Sequence, residues 1–184
     1  MDLEFPNLPY LLVDDGFTLT EHMAIHQYCA DKWNPELLGQ NEEEKTRVDM
    51  LAGVLSALKQ SLHLQCYVEK DKQEIGKQAV IDVKQVASFI KGKEFLLGKN
   101  VCYLDFYLFE MIQLVEFLTE GQVFEVFPDF EKYQMRMASL PKLKDYLESG
   151  RALVAPFNMK FALVNNWSPT YEELSGSNQG SFYA

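Results

Sequence analysis

Between residues 102 and 118 a single predicted helix carries Tyr103, Leu104, Phe106, Leu108, Phe109, Met111, Ile112, Leu114 and Val115, so that nearly every side of it is apolar. A helix without a polar face cannot lie on a surface and belongs in the middle of a bundle. No apolar run in the chain approaches the roughly 20 residues that cross a bilayer. Other helices must therefore surround this one.

The sequence supplies them. Asn41 precedes Glu42-Glu43-Glu44, where the amide side chain can accept from a free backbone N–H and Glu44 can reach back to complete a capping box. Val48, Leu51, Val54, Leu55, Leu58, Leu62 and Cys66 then recur every three or four residues, which predicts a long helix. A second spans about 72 to 91, with Ile75, Ala79, Val83, Val86 and Ile90 inward, and stops before Gly92. Two shorter helices are expected over 130–138 and 141–149, the latter with Pro141 in its first turn, where the missing donor is harmless.

The first 33 residues read differently. Tyr10-Leu11-Leu12-Val13, Asp14-Asp15-Gly16 and Phe17-Thr18-Leu19-Thr20 predict two short strands around an Asp-Gly turn. A helix follows to about Trp33, with Thr20 as its expected cap and Met23, Ala24, Tyr28 and Ala30 on its apolar side. At the other end, residues 165–184 are rich in Asn, Ser and Gly, a composition that cannot bury enough apolar area to fix itself.

Seventeen basic against twenty-seven acidic residues give a formal charge of -10. Such a surface repels phosphate backbones and anionic lipid, so neither nucleic acid nor membrane is an expected partner. Three scattered cysteines, Cys29, Cys66 and Cys102, without a CxxC pair, fit reduced thiols in the cytoplasm. His22 and His26 stand four apart with Cys29 three further on, a spacing at which imidazoles share a metal. Met23-Ala24-Ile25 between them lack the glutamate of a zincin helix, and no third ligand is indicated, so no metal site is assigned. His63, between Leu62 and Leu64, reads as a packed or edge residue. The aromatic density from Tyr103 to Phe130 reads as bundle core ahead of an apolar ligand pocket.

Four strings in order, Phe5-Pro6-Asn7-Leu8-Pro9-Tyr10-Leu11, Thr20-Glu21-His22-Met23-Ala24-Ile25, Glu42-Glu43-Glu44-Lys45-Thr46-Arg47-Val48-Asp49 and Leu104-Asp105-Phe106, resemble the cytosolic glutathione S-transferases of the mu class. The resemblance covers about residues 4 to 160. It implies a mainly α fold: a helical bundle over 34–164, preceded over 1–33 by a truncated thioredoxin-like remnant of β-hairpin plus helix, with a low-complexity tail over 165–184. It also implies that the chain starts late, without the β-α-β unit that bears the family's thiol-stabilising tyrosine, so no catalytic residue is assigned.

What the resemblance carries over is a partial glutathione site. Asn7 and Leu8, before Pro9 as the expected cis proline, match the segment whose backbone meets the cysteinyl part of glutathione. Glu21 and His22 match the Gln-Ser pair that receives the γ-glutamyl end, with His22 crowding the carboxylate. The acidic contact from a second subunit falls on Ala57. Tyr67 matches a hydroxyl of the substrate pocket, Phe5 an aromatic key between subunits, and Cys102 and Asp105 the Ser/Thr-x-x-Asp cap of the central helix. Glutathione is thus the one cofactor implied.

The expected function is a glutathione S-transferase-like binding or scaffold subunit of a larger assembly. A protein partner would cover the strand edge around Tyr10 to Val13, with a homodimer or heterodimer through Phe5. The alternatives are a working glutathione transferase with an unusual or partner-completed thiol site, or a natural product that carries the absent unit.

Overall fold

The computed structural model describes residues 3–13, 16–152 and 155–167. Among them, β1 (Tyr10–Leu12) and β2 (Thr18–Thr20) form an antiparallel pair in which Tyr10 faces Thr20, Leu11 faces Leu19 and Leu12 faces Thr18. The expected Asp14-Asp15 turn residues lie outside the described residues, as does the tail from 168 to 184. Gly16 follows at φ 83°, a conformation that suits glycine, and its N–H donates to the Val13 carbonyl at 2.9 Å.

Helix α1 (His22–Trp33) comes next, but Thr20 does not cap it. Thr20 ends β2, and Glu21 occupies the cap position without a side-chain cap bond. A turn of 3₁₀-helix over Pro35–Leu38 leads to α2 (Glu42–Val68), which opens as the capping residues predict. The Glu44 N–H donates to Asn41 Oδ1 at 2.9 Å, and Glu44 Oε2 reaches one residue further back than a capping box, to the Gln40 N–H at 2.8 Å. Helices α3 (Lys72–Ile90), α4 (Tyr103–Thr119), α5 (Gln122–Val126), α6 (Pro128–Ala138) and α7 (Pro141–Glu148) complete the order.

The apolar helix α4 runs through the centre and packs against α1, α2, α3, α5 and α6. The inward sets of α2 and α3 are buried as the periodicity predicts, except that Leu58 is partly covered and Val54 is exposed. Helices α3 and α4 approach so closely at Gly76 that a Cβ there would lie 2.6 Å from the Leu118 carbonyl oxygen. On α1 only Ala30 is fully buried, with Met23 packed partly against the core. The expected apolar side of that helix is therefore thin.

Asp105 anchors the start of α4. It is fully buried and accepts from the Cys102 N–H at 2.7 Å, the Leu96 N–H at 2.8 Å and the Tyr133 hydroxyl. Burial pushes its carboxyl above the usual range, and these donors pull it back. Its role is to fix the α4 N-terminus to the loop before it and to α6.

Candidate functional site

The antiparallel register brings the segment before β1 and the residue after β2 to the same end of the hairpin, and there the positions matched to glutathione contacts gather. Asn7 Nδ2 donates to Glu21 Oε1 at 2.7 Å, while Asn7 Oδ1 accepts from the Leu8 N–H at 2.9 Å. The Leu8–Pro9 bond is cis. Glu21 has φ 67° and ψ 112°, a conformation that costs a non-glycine residue on the order of 1–3 kcal/mol and persists only where its surroundings enforce it.

His22, the first residue of α1, turns toward the bundle. Its Nε2 lies 3.0 Å from the Tyr107 hydroxyl, and the two rings stack at 5.6 Å with 9° between their planes. His26, one turn on, meets the Tyr107 ring edge-on at 5.9 Å and the His22 ring at 6.2 Å. The Lys59 ammonium lies 4.3 Å from the Tyr107 centroid and 3.5 Å from Glu110. Burial, reinforced by the Lys59 charge, lowers His22, and Glu21 works against it. Burial and the neighbouring His22 lower His26, with Glu110 opposing and Lys59 adding a small push. Burial therefore favours the neutral form of both imidazoles.

A groove of about 260 Å³ runs beside this cluster between α1 and α4, with Cys29, Trp33, Leu37, Tyr103 and Phe106 among its walls. Among the described residues no group of three or more His, Cys, Asp or Glu side chains is placed to hold a metal ion, and no helix is long and apolar enough to cross a membrane.

The other singled-out residues stand apart from the hairpin corner. Tyr67 lies near the end of α2, where its hydroxyl accepts from the Met159 N–H at 3.2 Å and its ring leans on Phe161 at 5.7 Å. In the same neighbourhood His63 Nδ1 is 2.6 Å from Asn158 Oδ1, and burial lowers its pKa against that hydrogen bond. Phe5 is 72% exposed, and Asp105 belongs to the core. Tyr107, Lys59 and Glu110 carried no signal as site residues in the sequence. Tyr107 reads as core, and the other two are charges on helices whose facing was not fixed by pattern alone.

None of the shifted hydroxyls and thiols is moved toward ionisation. Burial pushes Tyr103 and Tyr107 up to about 12, and burial with the Asp105 charge drives Tyr133 higher still. Burial likewise raises Cys66 and Cys102. The arrangement can hold a ligand by hydrogen bonds and ring contacts, but these groups stay protonated at neutral pH.

A family model described as the glutathione S-transferase C-terminal domain matches residues 64–150. The glutathione S-transferase class-mu 26 kDa isozyme 7 of Fasciola hepatica is 32% identical over 161 residues, covering 86% of this chain and 72% of that protein. The mouse protein glutathione S-transferase Mu 2 is 32% identical over 172 residues, covering 92% and 76%. Among solved structures, the glutathione S-transferase Blo t 8 superposes with a TM-score of 0.73 at 24% identity, over 88% of this chain and 77% of that one. The Pi-class glutathione S-transferase of Onchocerca volvulus superposes with a TM-score of 0.69 at 26% identity, over 80% and 74%.

Proposed function

The chain belongs to the glutathione S-transferase family, with a mu-class-like sequence, and from that premise we propose that these 184 residues act as a binding or scaffold subunit and not as a conjugating enzyme. The observation that carries the reading is the state of the hairpin corner. Glu21, matched to the residue that takes the ligand's ammonium, is bonded to Asn7, and His22, matched to the small hydroxyl beside the carboxylate, is bonded to and stacked on Tyr107. Glutathione entering there would have to displace an internal bond and meet an imidazole where the resemblance expects a hydroxyl. Thiol activation needs a donor that stabilises the thiolate, and the Tyr107 hydroxyl beside this corner is already engaged with His22 Nε2 at 3.0 Å.

A working division follows the texture of the chain, with a hairpin-and-helix unit over 1–33, a helical unit over 34–164 and a tail over 165–184. Its partner is a protein that covers β1 from Tyr10 to Val13, with Phe5 reaching a second subunit. The exposed row Phe5, Leu8, Tyr10 and Leu12 beside unpaired strand backbone supports this. The free thiols Cys29, Cys66 and Cys102 suit a reducing compartment such as the cytoplasm.

The second reading, a transferase whose thiol site is completed by another polypeptide, draws on Glu21. Its strained φ of 67° is retained at the corner although no cap bond requires it. Turnover of a chlorodinitrobenzene substrate with glutathione, together with retention on glutathione resin, separates the two readings. The binding reading expects no turnover above the uncatalysed rate with or without retention, and turnover by the purified chain overturns it. Light scattering tests the partner, which a monodisperse, well-folded monomer would rule out.

A further inference from the structure

We propose that His22 and His26 form a pH-sensitive latch that docks the hairpin and α1 onto the bundle at neutral pH and releases them in mild acid. The cluster joins three elements. Helix α1 contributes both imidazoles, α4 contributes Tyr103 and Tyr107, and α2 contributes Lys59. Tyr107 is its centre, stacked on His22 at 5.6 Å, met edge-on by His26 at 5.9 Å and approached by the Lys59 ammonium at 4.3 Å. His26 also leans on Tyr103 at 6.4 Å. With Ala30 as the one fully buried residue of α1, apolar burial alone gives this helix little hold, and the ring contacts supply the rest.

The charges facing the imidazoles are few. Glu21 at the α1 cap and Glu110 on α4 favour protonation, whereas Lys59 on α2 and the second imidazole oppose it. The strands β1 and β2 carry no charged residue, and Glu36 in the turn after α1 is not among the charges acting on either ring. Burial outweighs the two carboxylates, so both histidines are lowered below the ordinary value near 6.5. The sign follows by linkage. The released state binds protons more readily than the docked one, so docking is at full strength above about pH 6.5 and weakens as pH falls below it. Release uncovers the Tyr103, Phe106 and Tyr107 face of α4, apolar surface open to a partner.

Backbone amide exchange on the 184-residue chain, corrected for the intrinsic pH dependence of exchange, tests this by comparing α1 with α3 at about pH 7.5 and about pH 5.5, on either side of the ordinary imidazole value. The latch predicts that α1 protection falls several-fold, with a ceiling of about tenfold for each histidine at one pH unit below the ordinary imidazole value, while α3 changes little. In the double variant His22→Gln with His26→Gln, α1 protection should no longer depend on pH. A wild-type α1 indifferent to pH, or a double variant that keeps the fall, overturns the proposal. If α3 loses protection in the variant, showing that it does not fold, imidazole proton NMR on the wild-type chain decides. His22 and His26 titrating in step with α1 opening supports the latch, and titration with α1 still protected overturns it.

Discussion

The bundle over residues 42–148 and the hairpin with α1 over residues 3–33 are built on opposite terms. In the bundle Leu55, Leu62, Ala79, Leu104, Val123 and Met137 are fully buried, and the central helix has partners on all sides. In the hairpin region Phe5 is 72%, Leu8 59%, Leu12 54% and Trp33 66% exposed, and Ala30 is the lone fully buried residue among those described. Apolar stabilisation scales with the area removed from water, so the bundle holds itself together while the hairpin region is held by rings and hydrogen bonds to Tyr107 and by whatever covers it. The same chain thus carries a self-sufficient scaffold and a dependent appendage.

Substitutions probe that contrast in order of size. Replacing Asp105 with Ala strands the Leu96 and Cys102 amides and the Tyr133 hydroxyl in the core, and should cost about 3–5 kcal/mol of stability in urea unfolding. A cost under about 1 kcal/mol would mean that the start of α4 is not the keystone described here. Gly76→Ala forces a methyl against the Leu118 carbonyl and should cost about 1–3 kcal/mol by the same measurement. Cys102→Ser puts a better cap at α4 beside Asp105 and should stabilise by about 1 kcal/mol, and a loss instead would show that the site prefers a thiol for its packing. Leu12→Ala, in the hairpin, should change the unfolding of the isolated chain by less than about 0.5 kcal/mol. A larger effect, or one that grows with protein concentration, would mean that β1 is already covered in solution.

Much of the bundle was legible because its helices are long and periodic. Ile75, Ala79, Val83, Val86 and Ile90 repeat cleanly, and all are buried. Val54 is misread by the same rule because it lies at the margin of the α2 stripe, where periodicity does not decide between core and water. The five residues of α5, between Gly121 and Pro128, are too short to show a period at all. Thr20 reads as a cap by residue type, yet the strand pairing claims it and leaves the turn into α1 to Glu21 at positive φ.

The candidate site divides the same way. Asn7 lies shortly before β1 and Glu21 directly after β2, so a hairpin reading already brings them to the same end. His22 and Tyr107 are 85 residues apart, and Tyr107 sits in a run so uniformly apolar that nothing local marks it as the residue an imidazole will stack on. Local pattern specifies which faces are buried, whereas pairings across the bundle follow from how helices dock.

The account depends on a corner whose polar side chains, Glu21 with Asn7 and His22 with the Tyr107 hydroxyl, are already engaged with one another. The most direct measurement is the ultraviolet band of glutathione thiolate in the presence of excess purified chain at neutral pH. The predicted result is the band of free glutathione, with no extra thiolate. A saturable rise in thiolate absorbance, lost in the Glu21→Ala variant, would show that the corner binds and ionises the thiol, and would contradict the binding or scaffold reading.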